Sequence, residues 1–296
     1  MMDYFSKYHP FVNLIYFALV IGFSMVVNHP LAQIISLVSA VTYVVSTQSK
    51  KSVAFLLKFC LPLVLLTAFI NPVFNHEGKT ILFYFSNGNQ LTLESILYGF
   101  SSGCMIITLL LWFSAFSVVM TSDKFIYLFG KVIPALSLVL SMTLRFVPKF
   151  KTQMKNVADA QRCIGRDVSN GSLLSRTKIA ITIMSIMITW SLENAIETAD
   201  SMKSRGYGLK GRTTFSIYRF EDRDKYTFVW FLFCFLYLLA GVIVSAFDFR
   251  YFPDIHYSAF GITTISFYII YLGLCITPVV LNTVEDRKWK TIYSKM

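Results

Sequence analysis

Apolar runs recur six times along the chain, at 11–27, 31–46, 53–73, 95–120, 226–247 and 257–281. A hydrocarbon layer about 30 Å thick needs about 17–25 such residues per helix. The pattern therefore predicts an all-α polytopic membrane protein with about six transmembrane helices. The first two runs are short and meet at Asn28-His29-Pro30, a tight turn in which Pro30 suits the first turn of the second helix. The third carries Lys58, close enough to its end to snorkel, and Pro62, which predicts a kink. Between the fourth and fifth runs lies a polar insert with two apolar stretches of its own, 132–147 and 179–192. The second has 14 residues, short of a span, and places Met184, Met187, Ile188 and Leu192 on one helical face; it predicts a buried or interfacial helix. The chain thus divides into an N-terminal membrane part (1–120, four spans), a helical insert (121–225) and a C-terminal membrane part with two spans and a tail (226–296). Ile81–Phe85 faces a second extended stretch across Asn87-Gly88, which predicts a minor hairpin. Gly99, Ser101, Ser102, Gly103 and Cys104 give the fourth run a small-residue surface, for close helix packing within the bundle or against a partner membrane protein.

Composition agrees. Of 296 residues, 55% are hydrophobic and 15% charged, against roughly 25% charged in soluble domains. Disorder, a disulfide scaffold and a collagen-like fibre are excluded by the same numbers. The net charge is +11, and its placement sets orientation. With the N-terminus inside, 24 of the 27 Lys and Arg residues fall on 1–10, 47–52, 121–225 and 282–296. The short loops then obey the positive-inside rule. This predicts a multi-pass protein of the cell membrane with both termini cytoplasmic. The N-terminal run is preceded by one lysine and followed by no small-residue cleavage site, which reads as a retained span rather than a signal peptide.

Candidate chemistry is sparse. Cys60, Cys104, Cys163, Cys234 and Cys275 show no CxxC spacing, and the four histidines are scattered, so neither a disulfide framework nor a metal site is expected. No phosphate-binding loop occurs, so the chain is not expected to bind or hydrolyse ATP itself; without H-E-x-x-H or G-x-S-x-G the common intramembrane and lipase chemistries lack support, and no cofactor is expected. Glu193 and Glu197, four apart on one face, read as a solvated ion-pair face. Arg145, just before Pro148, is either an interfacial snorkelling arginine or part of a hinge, since proline removes a backbone donor. The basic insert lacks the interleaved exposed aromatics of a nucleic-acid surface.

The sharpest signal is an internal repeat at an offset of 41. Ala158-Asp159-Ala160-Gln161-Arg162-Cys163-Ile164-Gly165 matches Ala199-Asp200-Ser201-Met202-Lys203-Ser204-Arg205-Gly206. Each copy ends a helical stretch with glycine, suited to the left-handed cap position. Each also places cations in the last turn, where they complement the helix dipole. Cations before a glycine cap are ordinary helix chemistry, whereas two copies in one insert point to a shared docking role toward carboxylates or phosphates.

These residues, together with Leu144-Arg145-Phe146-Val147-Pro148, Asn71-Pro72-Val73-Phe74-Asn75-His76-Glu77-Gly78, Leu91-Thr92-Leu93-Glu94 and Ala199 through Gly208 (ADSMKSRGYG), resemble the transmembrane T component of energy-coupling factor (ECF) transporters. The resemblance covers essentially the whole chain. It implies a non-catalytic scaffold with two cytoplasmic coupling helices, each ending in an X-Arg-Gly motif that docks on one of two ABC ATPase subunits. The ATPases bind the ATP. A substrate-binding S component in the lipid bilayer topples to release its vitamin or metal ion. Ser204-Arg205-Gly206 fills the second motif. Cys163-Ile164-Gly165 fills the first, with Ile164 where arginine is expected and Arg162 and Arg166 flanking it. Two other classes stay open. A self-contained secondary transporter should show inverted repeats and broken spans at matching positions. A membrane-bound lipid-processing enzyme needs clustered acids or histidines at the interface. The sequence displays neither feature.

Overall fold

The computed structural model describes residues 3–48, 50–84, 90–209, 218–257 and 261–293. A 3-10 turn (Phe5–Lys7) leads into α1 (Pro10–Val26) and α2 (Pro30–Thr47). Both helices begin on the same dipeptide. Proline takes the first helical position, where its missing N–H is no loss, and the preceding histidine supplies the cap. His9 Nδ1 accepts from the Phe11 N–H and His29 Nδ1 from the Leu31 N–H, each at 3.2 Å. α3 (Lys50–Phe74) runs on through Pro62 and Pro72, so neither proline ends it. The expected hairpin is present as β1 (Ile81–Tyr84) antiparallel to β2 (Gln90–Thr92); its Asn87-Gly88 turn lies outside the described residues. α4 (Leu93–Val119) is capped by Thr92, whose hydroxyl accepts from the Ser95 N–H at 3.4 Å. Then follow α5 (Ser122–Val132), α6 (Pro134–Cys163), α7 (Leu173–Ser204) and α8 (Asp222–Ile243). The chain closes with a short ribbon, β3 (Phe249–Arg250) against β4 (His256–Tyr257), and α9 (Ile262–Tyr293).

These elements form two units: Met1–Phe125 with Tyr218–Met296, and Ile126–Ile217. Among the described residues, five helices have the length and apolar character to cross a membrane: Pro30–Thr47, Leu93–Val119, Leu173–Ser204, Asp222–Ile243 and Ile262–Ile292. Pro10–Val26 and Lys58–Phe74 are apolar but shorter. The protein is an all-α, multi-pass membrane protein. Exposed apolar residues around these helices, such as Leu61, Phe69 and Ile262, suit hydrocarbon and would be a liability in water.

The largest departure from the sequence pattern is α7. The apolar stretch 179–192 is the middle of a helix of 32 residues, about 48 Å long at 1.5 Å per residue. Polar turns extend it, with Arg176 and Lys178 before the apolar stretch and Glu193, Glu197, Asp200 and Lys203 after it. Hydropathy registers only the centre, while backbone hydrogen bonding continues to both caps. Of the four residues expected on one face, Met187 is buried, whereas Met184, Ile188 and Leu192 are exposed.

In the first unit the core is aromatic and stitched by hydroxyls. Tyr16, Phe17, Tyr43, Trp112, Phe231 and Tyr271 are fully buried. Edge-on ring pairs such as Phe5–Tyr16 (5.1 Å) and Tyr16–Trp112 (6.1 Å) contribute about 0.5–1.5 kcal/mol each beyond area burial. Ser24 Oγ lies 2.8 Å from Ser36 Oγ and 3.1 Å from the Tyr271 hydroxyl, and Trp112 Nε1 donates to Ser36 Oγ at 3.0 Å. One polar cluster thereby joins α1, α2, α4 and α9. Such bonds average about 0.6 kcal/mol in a membrane bundle. They fix register where lipid offers no hydrophobic force between helices.

Among the small residues of α4, Gly99 and Gly103 face α3, while Ser101 Oγ donates to Gln33 Oε1 on α2 at 2.8 Å. A Cβ at Gly99 would lie 2.9 Å from the Thr67 carbonyl oxygen and 3.1 Å from Ala68 Cα. One at Gly103 would meet Thr67 Oγ1 at 2.3 Å and Val64 Cα at 3.1 Å. Of the two roles open to this surface, close packing within the bundle accounts for both glycines.

Candidate coupling site

The second unit contains both copies of the repeated motif, and the repeat is reproduced in backbone geometry. At the end of α6 the Gly165 N–H donates to the Arg162 carbonyl at 3.0 Å and the Arg166 N–H to the Gln161 carbonyl at 2.9 Å. At the end of α7 the Gly206 N–H donates to the Lys203 carbonyl at 3.0 Å and the Tyr207 N–H to the Met202 carbonyl at 3.0 Å. Both are the paired bonds of a Schellman cap. Gly165 and Gly206 have φ of +80° and +78°, the left-handed region that favours glycine. Ile164 (φ −95°, ψ 17°) and Arg205 (φ −84°, ψ 10°) occupy the same cap position. The two ends therefore share the paired cap bonds and the cap dihedral angles. Arg162 corresponds to Lys203, and Arg166 to Tyr207.

The side chains differ between the two ends. Ile164 is 63% exposed, an apolar tip where α7 offers a guanidinium. Arg162 turns onto its own connecting loop, with Nε 3.4 Å from Asp167 Oδ2. Asp167 in turn accepts from the Ser169 N–H at 2.9 Å. This hydrogen bond, helped by the nearby Arg162 and Arg176 charges, holds its carboxyl below the usual carboxylate range. Cys163 and Arg166 are exposed.

Arg205 opens onto a cleft of about 550 Å³ between α6 and α7. Arg145, Phe146, Lys149, Glu197 and Ser201 also line it. The helices run antiparallel, in contact through Lys149 Nζ donating to Asn194 Oδ1 at 2.9 Å and the Phe150–Trp190 ring pair at 6.3 Å. Lys149 also lies over the Trp190 ring, 5.6 Å from its centroid. The structure thus brings Arg145 and Arg205, far apart in sequence, to one cleft. It sets Arg162, Cys163, Ile164, Gly165 and Arg166 apart from them. Lys149 to Ile164 is fifteen helical residues, so the two caps are separated by on the order of 20–30 Å. Pro148 lies within α6 at this contact, where it leaves the Leu144 carbonyl without its helical donor and the helix does not end. Lys149, Asn194 and Trp190 carried no sequence signal as site residues, because their role depends on which faces of two helices meet.

Long apolar helices tied by buried hydroxyls, with a two-helix insert whose ends carry the same cap, define a multi-pass membrane protein. The cobalt transport protein family, CbiQ, matches residues 5–216, and the chain belongs to this family. It is similar to the energy-coupling factor transporter transmembrane protein EcfT of Lactobacillus helveticus, 32% identical over 118 residues, or 40% of this chain and 41% of that protein. The EcfT of Lacticaseibacillus paracasei is 36% identical over 90 residues, 30% of this chain and 34% of its own length. That of Brevibacillus brevis is 29% identical over 188 residues, 60% of this chain and 71% of its own. The chain spans about two fifths of the length of the first of these relatives.

Proposed function

We propose that this chain is the transmembrane T component of an ECF-type ABC importer. Two partner ATPase subunits dock at the capped ends of α6 and α7, and their ATP-driven motion reaches a substrate-binding S component through the helices. The chain itself is non-catalytic and holds no cofactor. The N-terminal membrane part (1–120) and C-terminal part (226–296) sit in the cell membrane, both termini are cytoplasmic, and the insert (121–225) is the coupling region. Substrate identity, a vitamin or a metal ion, rests with the S component.

One observation carries this reading: two helix ends of the same backbone geometry, on one antiparallel helix pair, separated by more than a single pocket would require. That arrangement suits two copies of one kind of partner better than one small molecule. Arg205 supplies a charged contact at the α7 end, while Ile164 and the loop-tethered Arg162 make the α6 end more apolar. A hydrogen bond to a charged group contributes roughly 1.5–3 kcal/mol, a factor of ten or more in affinity. On co-expression with the two ATPases and the S component, the wild type retains both ATPases. Arg205→Ala lowers their recovery by about tenfold or more, and Arg166→Ala lowers it less. Equal or reversed effects overturn the ordering. A chain that purifies alone and moves substrate into vesicles without ATP overturns the whole reading.

A further inference from the structure

The second unit, Ile126–Ile217 of the insert, joins the first through two chain crossings, one at Phe125 and one at Tyr218. Both crossings are held by the same short N-terminal segment. At the first, Lys124 on α5 is buried at 6% exposure. Its Nζ donates to the Ser6 carbonyl and, at 2.8 Å, to the Val119 carbonyl. Asn13 completes the cradle: with its amide turned to suit its neighbours, Oδ1 accepts from Lys124 Nζ at 3.1 Å and Nδ2 donates to the Phe5 carbonyl at 3.1 Å. At the second crossing Asp224 on α8 is 1% exposed. Its carboxylate accepts from the His9 N–H at 3.0 Å and from the Glu221 N–H at 2.9 Å. The Phe220 ring stands edge-on to His9 at 5.0 Å, and the Arg223 guanidinium lies 5.2 Å from the Tyr8 ring centre.

The segment is itself pinned to the bundle. The Phe5 N–H donates to Asn282 Oδ1 and Asn282 Nδ2 donates to Asp3 Oδ1, both at 2.9 Å, while the Tyr43 hydroxyl donates to Asp3 Oδ2 at 3.3 Å. Phe5 is fully buried among Tyr8, Tyr16, Phe17 and Tyr43. Residues 3–9 are thus bonded to α2, α5, α8 and α9. Two buried charges, one ammonium and one carboxylate, are spent on the backbone of this segment rather than on each other. If the segment left, each charge would lose part of its hydrogen-bonding shell, Lys124 keeping the Val119 carbonyl and Asp224 the Glu221 N–H.

We propose that residues 3–9 form a fixed clasp across the two crossings, with Lys124 and Asp224 as positioning residues that pass movement of the insert to the bundle. This rests on the reading of the chain as an ECF coupling subunit. Without the clasp, the start of α5 and the start of α8 move independently, and displacement of α6 and α7 dissipates at the crossings. The spans, the ATPase contacts and ATP turnover do not depend on it.

The test uses the full complex in proteoliposomes, with uptake measured per ATP hydrolysed. Lys124→Met and Asp224→Asn keep side-chain shape and remove the charge. Both are expected to retain the ATPases and S component and to hydrolyse ATP within about twofold of wild type, while uptake per ATP falls tenfold or more. Lys124→Arg is expected to recover a substantial part of the loss. Backbone amide exchange in the wild type gives a second measure: the Phe5 and His9 N–H groups stay protected during turnover. Unchanged uptake per ATP, a loss that only tracks reduced assembly, or rising exchange at Phe5 and His9 during turnover each overturns the clasp. If wild-type chain retains no ATPase, the coupling-subunit reading falls first and the clasp with it.

Discussion

At Gly165 and Gly206 the left-handed backbone is required by the paired cap bonds, and a side chain there is strained. A left-handed L-residue costs roughly 1–2 kcal/mol. A Cβ at Gly165 meets nothing within 4 Å, and one at Gly206 meets the flexible Leu209 side chain, its Cδ1 at 3.1 Å. Gly165→Ala and Gly206→Ala are therefore expected to lose about that amount locally. Amide exchange of Arg166 and Tyr207, respectively, should quicken by about tenfold while the rest of each helix is unchanged. Lys124 offers a test by pH. Burial outweighs the nearby Asp3 charge and lowers its ammonium to about 8, below the ordinary value near 10.4. The unfolded chain thus binds this proton more tightly than the folded one. The burial penalty is present in full below pH 8 and is relieved as pH climbs from 8 toward 10.4, so this group's contribution to stability rises across that window. The melting temperature of the wild type, relative to Lys124→Met, should increase between pH 8 and 10 and stay flat from pH 6 to 7.5.

Among the helices, the α3–α4 contact is the tightest place to probe. Backbone and Thr67 atoms leave no room for a branched side chain at Gly99 or Gly103, and overpacking costs typically 1–3 kcal/mol. Gly99→Val is expected to destabilise the protein by about 2–3 kcal/mol, read as a lower unfolding midpoint in detergent. Ser102→Ala should stay within about 0.5 kcal/mol. The helix ends of the insert were legible in the sequence because a Schellman cap is local: glycine, cations and the preceding turn lie within six residues. The length of α7 was not legible, since hydropathy weighs its charged turns against a span while the backbone remains helical through them. Whether Gly99 and Gly103 face inward was equally undecided until α3 was seen against them.

For the whole molecule, the orientation read from charge can be checked on a single-cysteine background. Cys163 is exposed and belongs to the insert, whereas Asp254 pairs with Lys79 across the two short ribbons. A membrane-impermeant maleimide is expected to label Cys163 only from the cytoplasmic side, and a cysteine at Asp254 only from outside. Labelling of both from one side would overturn the proposed topology. Sequence alone determined the membrane class, the positions of the apolar helices and the twin glycine caps, because each follows from composition or from residues a few positions apart. Tertiary structure alone decided the meeting of Arg145 with Arg205 and the gathering of residues 3–9 with Lys124, Asp224 and Asn282. Those last contacts link positions 118, 215 and 277 residues apart. A lysine and an aspartate in the first turns of helices, and an asparagine within one, look like ordinary polar groups until the fold buries them on one segment of backbone.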